Sequence, residues 1–308
     1  MRIRKKLKWF LLIDLTLLLA FGLSFWLWPA IWFPVADGVL SAKELLSGVE
    51  NRSVLVAGHR VHYLAEGPKD GAVVVLVHGL GGHAEDWRKL AQPLSKAGYR
   101  VYMPDLLGYG RSDKPEDFSY SVHDEADLVV GFMDALDLKQ VDLGGWSMGG
   151  WIAQEIAAKQ PARIHRLVLI DSGGLMEKPE WDTRLFTPTT PAELNEFLAL
   201  LMPHPPKFPD VAARIILHIR QGNDWVIRRA VASMLAGRET TDTLLPQLKM
   251  PVLIVWDDAD RIFPLSQAER MHSLVPQSQL DIVTGCGHMA PVFCSAQIAP
   301  KMVEYLQR

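Results

Sequence analysis

Ser147 stands at the centre of Gly145-Trp-Ser147-Met-Gly149, directly after the short apolar run 141–143. A serine hydroxyl is a weak nucleophile. It needs a neighbouring base, a backbone that holds it clear of its own helix, and N–H groups facing the carbonyl that it attacks. Glycines two residues to either side allow a strand to turn sharply into a helix, and they remove side chains that would collide across the turn. Two later loops offer partners. Asp257-Asp-Ala-Asp260-Arg-Ile-Phe-Pro264 follows one late apolar run, and Gly285-Cys-Gly-His288-Met-Ala-Pro follows the last. Serine, then aspartate, then histidine is the chain order expected of nucleophile, orienting acid and base around such a turn.

Those residues have to be carried to one place by an alternation of strands and helices. The stretches 54–57 and 60–66 alternate around Gly58 and predict a hairpin or two edge strands. Residues 73–77 are a continuous β-branched run, as in a parallel strand covered on both faces, and they end in His78-Gly-Leu-Gly-Gly82. Helical spacing over 85–96, 122–136 and 148–159 alternates with strand-like runs at 99–103, 141–143 and 166–170. The alternation then stops. From about 173 to 248 the chain holds proline clusters and helical stretches near 192–202, 210–221 and 224–236, with no strand. Strands resume at 252–256 and 280–283, with helices over 265–275 and 292–307. A helical insertion between sheet strands predicts a lid over their carboxyl ends.

The 308 residues, 49% apolar and 22% charged, suit one large globular domain, and a net charge of -3 argues against nucleic acid or any strongly charged partner. Cys286 and Cys294 are the only cysteines. Two cysteines exclude a disulfide-rich scaffold and nothing near them has metal-ligand spacing, so two free thiols are expected, with no metal and no cofactor. The amino terminus differs from the rest. Arg2, Arg4, Lys5, Lys6 and Lys8 precede an apolar run over 9–28 in which Asp14 is the sole charge. As a helix this run spans roughly 30 Å, enough to cross a bilayer. Trp9, Trp26, Trp28 and Trp32 fall near its ends, where indoles favour the headgroups. A secretory signal peptide shares the basic and apolar pattern, but the run is long and lacks a clear cleavage site, so an uncleaved anchor with the later residues on the far side is expected.

Taken together, His78-Gly-Leu-Gly-Gly82, Asp105-Leu-Leu-Gly-Tyr-Gly-Arg-Ser112, the turn at Ser147, the Asp260 loop and the His288 loop resemble the α/β-hydrolase fold family over nearly all of residues 50–308. With the anchor and lid, the chain looks most like bacterial membrane-associated lipases related to monoacylglycerol lipases. The resemblance implies an α/β architecture with a mostly parallel central sheet flanked by helices. It divides the chain into an anchor (1–34), a linker (35–52), a core (53–174 and 249–308) and a helical lid (175–248). It also implies hydrolysis of a lipid-like carboxylic ester, in an enzyme of the bacterial inner membrane facing the periplasm. In that scheme Ser147 attacks the carbonyl, His288 takes and returns the proton, and Asp260 orients the imidazole. The backbone N–H groups of Leu80 and Met148 hold the oxyanion.

Relatives usually carry glycine where this chain has Asp257, so Asp258 and Asp171 stand as alternatives to Asp260. Trp146 and Trp151 flank the nucleophile and suit core packing, with Trp146 also placed to line a substrate pocket. His78 is expected to brace the oxyanion loop, and Asp105 and Arg111 the loop between strand and helix. His83, His204 and His218 are assigned no catalytic part. The same triad also serves carbon–carbon bond hydrolases, lactonases and haloperoxidase-like enzymes, whereas epoxide hydrolases and haloalkane dehalogenases need aspartate in place of Ser147. A non-catalytic binding protein on this fold would be expected to have lost a member of the set.

Overall fold

The computed structural model describes residues 48–308 except Lys178, Glu180 and Arg238. The predicted membrane helix, and the linker up to residue 47, lie outside the described residues; among the described ones no helix is long and apolar enough to cross a membrane. Residues from Glu50 to Arg308 form one compact unit.

Eight strands make one sheet in the order β1-β2-β4-β3-β5-β6-β7-β8. β1 (Glu50–Val56) and β2 (His59–Glu66) form an antiparallel hairpin, and β2 pairs antiparallel with β4 (Arg100–Pro104). All other pairings are parallel: β3 (Val73–Val77), β5 (Val141–Trp146), β6 (Ile164–Ile170), β7 (Val252–Asp257) and β8 (Gln279–Val283). β1 starts at Glu50, inside the stretch read as linker. Glu50 pairs with Ala65, and alternation on this outer strand is too weak to mark its start. β3 and residues 252–256 of β7 read as unbroken apolar runs, as expected of parallel strands covered by helices on both faces; every residue of β5 and β7 is buried.

The helices in chain order are α1 (Arg88–Lys96), α2 (Val122–Ala135), α3 (Met148–Lys159), α4 (Pro191–Leu201), α5 (Asp210–Arg220), α6 (Asp224–Leu235), α7 (Leu265–Leu274), α8 (Ala290–Phe293) and α9 (Ser295–Leu306). The predicted helix over 292–307 is two helices broken at Cys294. α4, α5 and α6 form the insertion between β6 and β7. α4 opens with a capping box in which Thr190 and Glu193 satisfy each other's backbone N–H groups, with Pro191 at its first turn. α4 and α5 share a small core of Leu194, Ala213 and Leu217. Val226, Ile227 and Ala230 of α6 join the main core around Leu143, Ile152 and Trp256, which fixes one end of the insertion to the sheet.

Candidate active site

Ser147 bridges β5 and α3 with φ 57° and ψ -122°, a left-handed conformation that costs a non-glycine residue about 1–3 kcal/mol. Its surroundings impose the turn. The Ser147 N–H donates to the Ile170 carbonyl, and the Ser147 carbonyl accepts from Gly150, Trp151 and Gly173. A Cβ on Gly145 would lie 2.1 Å from the Gly149 carbonyl oxygen, and one on Gly149 would lie 2.0 Å from that of Val77. Neither position accepts a side chain, because helix and strand touch through backbone. A serine at a helix start ordinarily caps that helix. Ser147 makes no such bond, and its Oγ lies 2.8 Å from Nε2 of His288 instead.

His288 follows β8 on a loop turned by Gly285 and Gly287, both at positive φ, and is 3% exposed. Its Nδ1 is 2.8 Å from Oδ2 of Asp260. An ionised carboxylate only accepts, so Nδ1 carries the proton and the Nε2 lone pair faces the serine hydroxyl. The other oxygen, Oδ1 of Asp260, accepts from the Ile262 and Phe263 N–H groups at 2.7 and 3.1 Å, which aims the carboxylate.

The other three carboxylates face different partners. Asp257 is fully buried and its carboxylate accepts from the N–H groups of Ala259, Cys286 and Gly287 at 2.8–2.9 Å, tying the Asp260 loop to the His288 loop. Asp258 is exposed. Asp171 ends β6 fully buried: its Oδ1 accepts from the Asp257 N–H and its Oδ2 has no partner. Burial pushes the Asp171 carboxyl well above the usual carboxylate range, and the charges of Asp260 and Asp257 push the same way.

Leu80 follows β3 on the His-Gly-Leu-Gly-Gly loop. Gly79 packs directly on Ser147: a Cβ there would lie 3.0 Å from Ser147 Cβ. His78 braces this loop as expected. Its Nδ1–H donates to the Gly79 carbonyl and its Nε2 accepts from Leu106 N–H. Burial holds this imidazole below its usual range, which suits the neutral form that both bonds require. Asp105, fully buried, accepts from Ala84 and Arg111 N–H groups and pairs with His62. Among the described residues neither the Leu80 nor the Met148 amide is committed to another hydrogen bond, and both residues border the cavity at Ser147.

Two cavities meet at the Ser147 hydroxyl. The larger, about 320 Å³, is walled mainly by apolar groups including Leu175, Met176, Trp181, Phe186, Met234 and Phe263. The smaller, about 160 Å³, is bordered by Gly79–82, Trp146, Arg220, His288 and Met289. Trp146 lines the smaller cavity, and its Nε1–H donates to the His288 carbonyl. His83 caps a short turn with Asp86 at the rim of the same cavity, while His204 and His218 are exposed.

The expectation of two free thiols is corrected: Cys286 and Cys294 form a disulfide. The turn Gly287–Met289 and the single-turn helix α8 fold the chain back between them, which sets the Cα atoms 5.9 Å apart, within bridging range. Placement beyond a membrane, itself predicted from the amino terminus, was the signal that favoured pairing.

A family profile described as α/β hydrolase fold matches residues 72–210. Lipase 1 of Psychrobacter immobilis is 28% identical over 276 residues, covering 84% of this chain and 86% of that one. A 2-hydroxymuconate semialdehyde hydrolase of Pseudomonas sp. strain CF600 is 28% identical, covering 83% and 93%. Among solved structures, a membrane phospholipase A described as a bacterial virulence factor superposes with a TM-score of 0.81 at 27% identity, covering 96% of this chain and 97% of that one. Fold, sequence match and these relatives agree: the chain has the α/β-hydrolase fold and is similar to lipases and other serine hydrolases built on it.

Proposed function

We propose that the protein hydrolyses lipid-like carboxylic esters through an acyl-enzyme on Ser147. The observation that carries this reading is the Ser147–His288–Asp260 relay, with both hydrogen bonds at 2.8 Å, opening onto a large apolar cavity. His288 Nε2 removes the hydroxyl proton as Oγ attacks, and Asp260 stabilises the imidazolium that forms. The tetrahedral oxyanion takes the Leu80 and Met148 amides, each such donor being worth about two to three powers of ten in rate. Collapse passes the proton from Nε2 to the leaving alcohol. Water activated by the same imidazole then releases the acid.

The helices α4 to α6 act as a lid in this reading, with the acyl chain beneath them. The basic and apolar amino terminus supports an anchor that holds the lid beside a bilayer, and the disulfide supports an oxidising, extracytoplasmic location. Carbon–carbon bond hydrolysis by the same residues is the second reading, favoured by similarity to the 2-hydroxymuconate semialdehyde hydrolase. A panel of p-nitrophenyl and glycerol esters from two to sixteen carbons, run beside a 2-hydroxymuconate semialdehyde-type substrate, separates them. Rising kcat/KM toward medium or long chains, abolished by Ser147→Ala, supports ester hydrolysis; turnover of the ring-fission product alone assigns the second.

A further inference from the structure

The two cavities at Ser147 are chemically unlike, and His288 tells them apart. Ser147 borders both, but His288 borders only the smaller. The group that departs must receive its proton from His288 Nε2, so the leaving alcohol occupies the smaller cavity and the acyl chain the larger apolar one. This assignment rests on the ester-hydrolase reading above.

The smaller cavity contains a cation held in place with unused donor capacity. Arg220, at the end of α5, donates from Nη2 to the Phe186 carbonyl at 3.3 Å, and its guanidinium carbon lies 5.2 Å from the centre of the Phe197 ring. Its Nε–H is buried and has no acceptor. Among the described residues no carboxylate forms an ion pair with it. Burial lowers its pKa, and Asp224, one turn on, offsets this only through longer-range attraction; an arginine nonetheless stays charged at neutral pH. The other charged groups at this cavity are engaged with one another: Asp86 accepts from the His83 N–H and faces the His83 imidazole. A half-buried guanidinium at the cavity wall, fixed by an aromatic face and without a carboxylate in ion-pair contact, is suited to a planar or tetrahedral oxyanion rather than to a neutral hydroxyl.

We propose that Arg220 binds an anionic group on the leaving alcohol, so that the preferred substrate is an acyl ester of a phosphorylated alcohol, of the lysophospholipid type. Phosphate on the alcohol places its oxygens on the far side of the ester from the acyl chain, where Arg220 lines the cavity. Neutral acylglycerols enter the same site without that contact.

The test uses the full chain in detergent micelles and compares kcat/KM for 1-acylglycerol 3-phosphate and for the 1-acylglycerol of the same chain length. Wild type should prefer the phosphorylated ester by about 10- to 100-fold, the range for one charge-assisted pair. Arg220→Gln should bring the ratio near one, and Arg220→Lys, which keeps the charge and loses the fork, should give an intermediate ratio. Glycerol 3-phosphate should compete with the neutral ester in wild type, an arm that does not depend on either variant folding. Inhibition by inorganic phosphate to the same degree would show recognition of the free anion without the glycerol, and would overturn the substrate assignment. Equal turnover of both esters by wild type, or an undiminished preference in Arg220→Gln, overturns the role of Arg220 while the ester reading stands. Hydrolysis of neither ester overturns both.

Discussion

The indole N–H of Trp146 donates a 2.8 Å hydrogen bond to the backbone carbonyl of His288, so the residue just before Ser147 holds the loop that carries His288. Both residues are nearly fully buried. Serine and histidine are therefore fixed relative to each other by a contact separate from their own hydrogen bond. Trp146→Phe keeps a smaller aromatic ring and deletes the donor, leaving a buried carbonyl unpaired at a cost of about 1–3 kcal/mol. Steady-state kinetics should show kcat down by about tenfold, with a smaller change in KM. An unchanged kcat would mean that the bond does not position His288.

Asp257 and Asp260 are three residues apart and do different work, which two variants should expose. Asp260→Asn can still accept from Ile262 and Phe263, but it presents the wrong partner to Nδ1. By the behaviour of such triads kcat should fall by about four powers of ten, with little change in the melting temperature. Asp257→Ala strips the acceptor from three backbone amides, at about 1–3 kcal/mol for each that stays unpaired. Calorimetry should show a lower melting temperature together with lower activity. A stable Asp257→Ala protein would refute its role as the tie between the two loops.

Asp171 gives a pH signature. Burial raises the pKa of its carboxyl well above the usual carboxylate range in the folded protein, while in the unfolded chain it ionises above a pH of about 4. The folded state therefore binds one more proton over that window, and the contribution of Asp171 to stability falls as pH rises. Asp171→Asn, which mimics the neutral acid, removes this dependence. Melting curves from pH 4 to 8 should show the variant gaining on wild type as pH increases. A variant-minus-wild-type difference that stays constant or falls with pH would mean that the Asp171 pKa is not raised in the fold.

The bond between Cys286 and Cys294 closes a loop whose ends lie eight positions apart and which contains His288. Loop-entropy arguments give such a link about 2–3 kcal/mol. Dithiothreitol should lower the melting temperature of wild type and leave the Cys286→Ser/Cys294→Ser protein unaffected. Because Asp257 also holds Cys286 and Gly287, reduction should lower activity less than it lowers stability. Identical melting with and without reductant would show that the bond adds nothing.

The turn at Ser147, the histidine loop and the strand-helix alternation were legible in the sequence because each is written locally. Gly145 and Gly149 flank Ser147 for a steric reason visible at a distance of two residues, and Gly285 and Gly287 mark the turn before His288 in the same way. Asp260 could be singled out only by family spacing, since three acidic residues share its loop and the choice among them depends on where His288 arrives. The work of Asp257 was hidden because its acceptor sites serve amides 29 and 30 residues further on. Trp146 and Arg220 illustrate the same limit. An indole reaching a carbonyl 142 positions away, or a guanidinium left without a carboxylate, has no local pattern and exists only once the helices and loops have packed.

The central claim is that Ser147 is a nucleophile activated by His288, and covalent capture tests it most directly. Folded wild-type protein treated with a fluorophosphonate carrying a long alkyl chain, then digested and sequenced by mass spectrometry, should bear one adduct, on Ser147. Labelling should be slowed by orders of magnitude in His288→Ala. Absence of an adduct on Ser147 in folded protein, or equal labelling without His288, would contradict the claim.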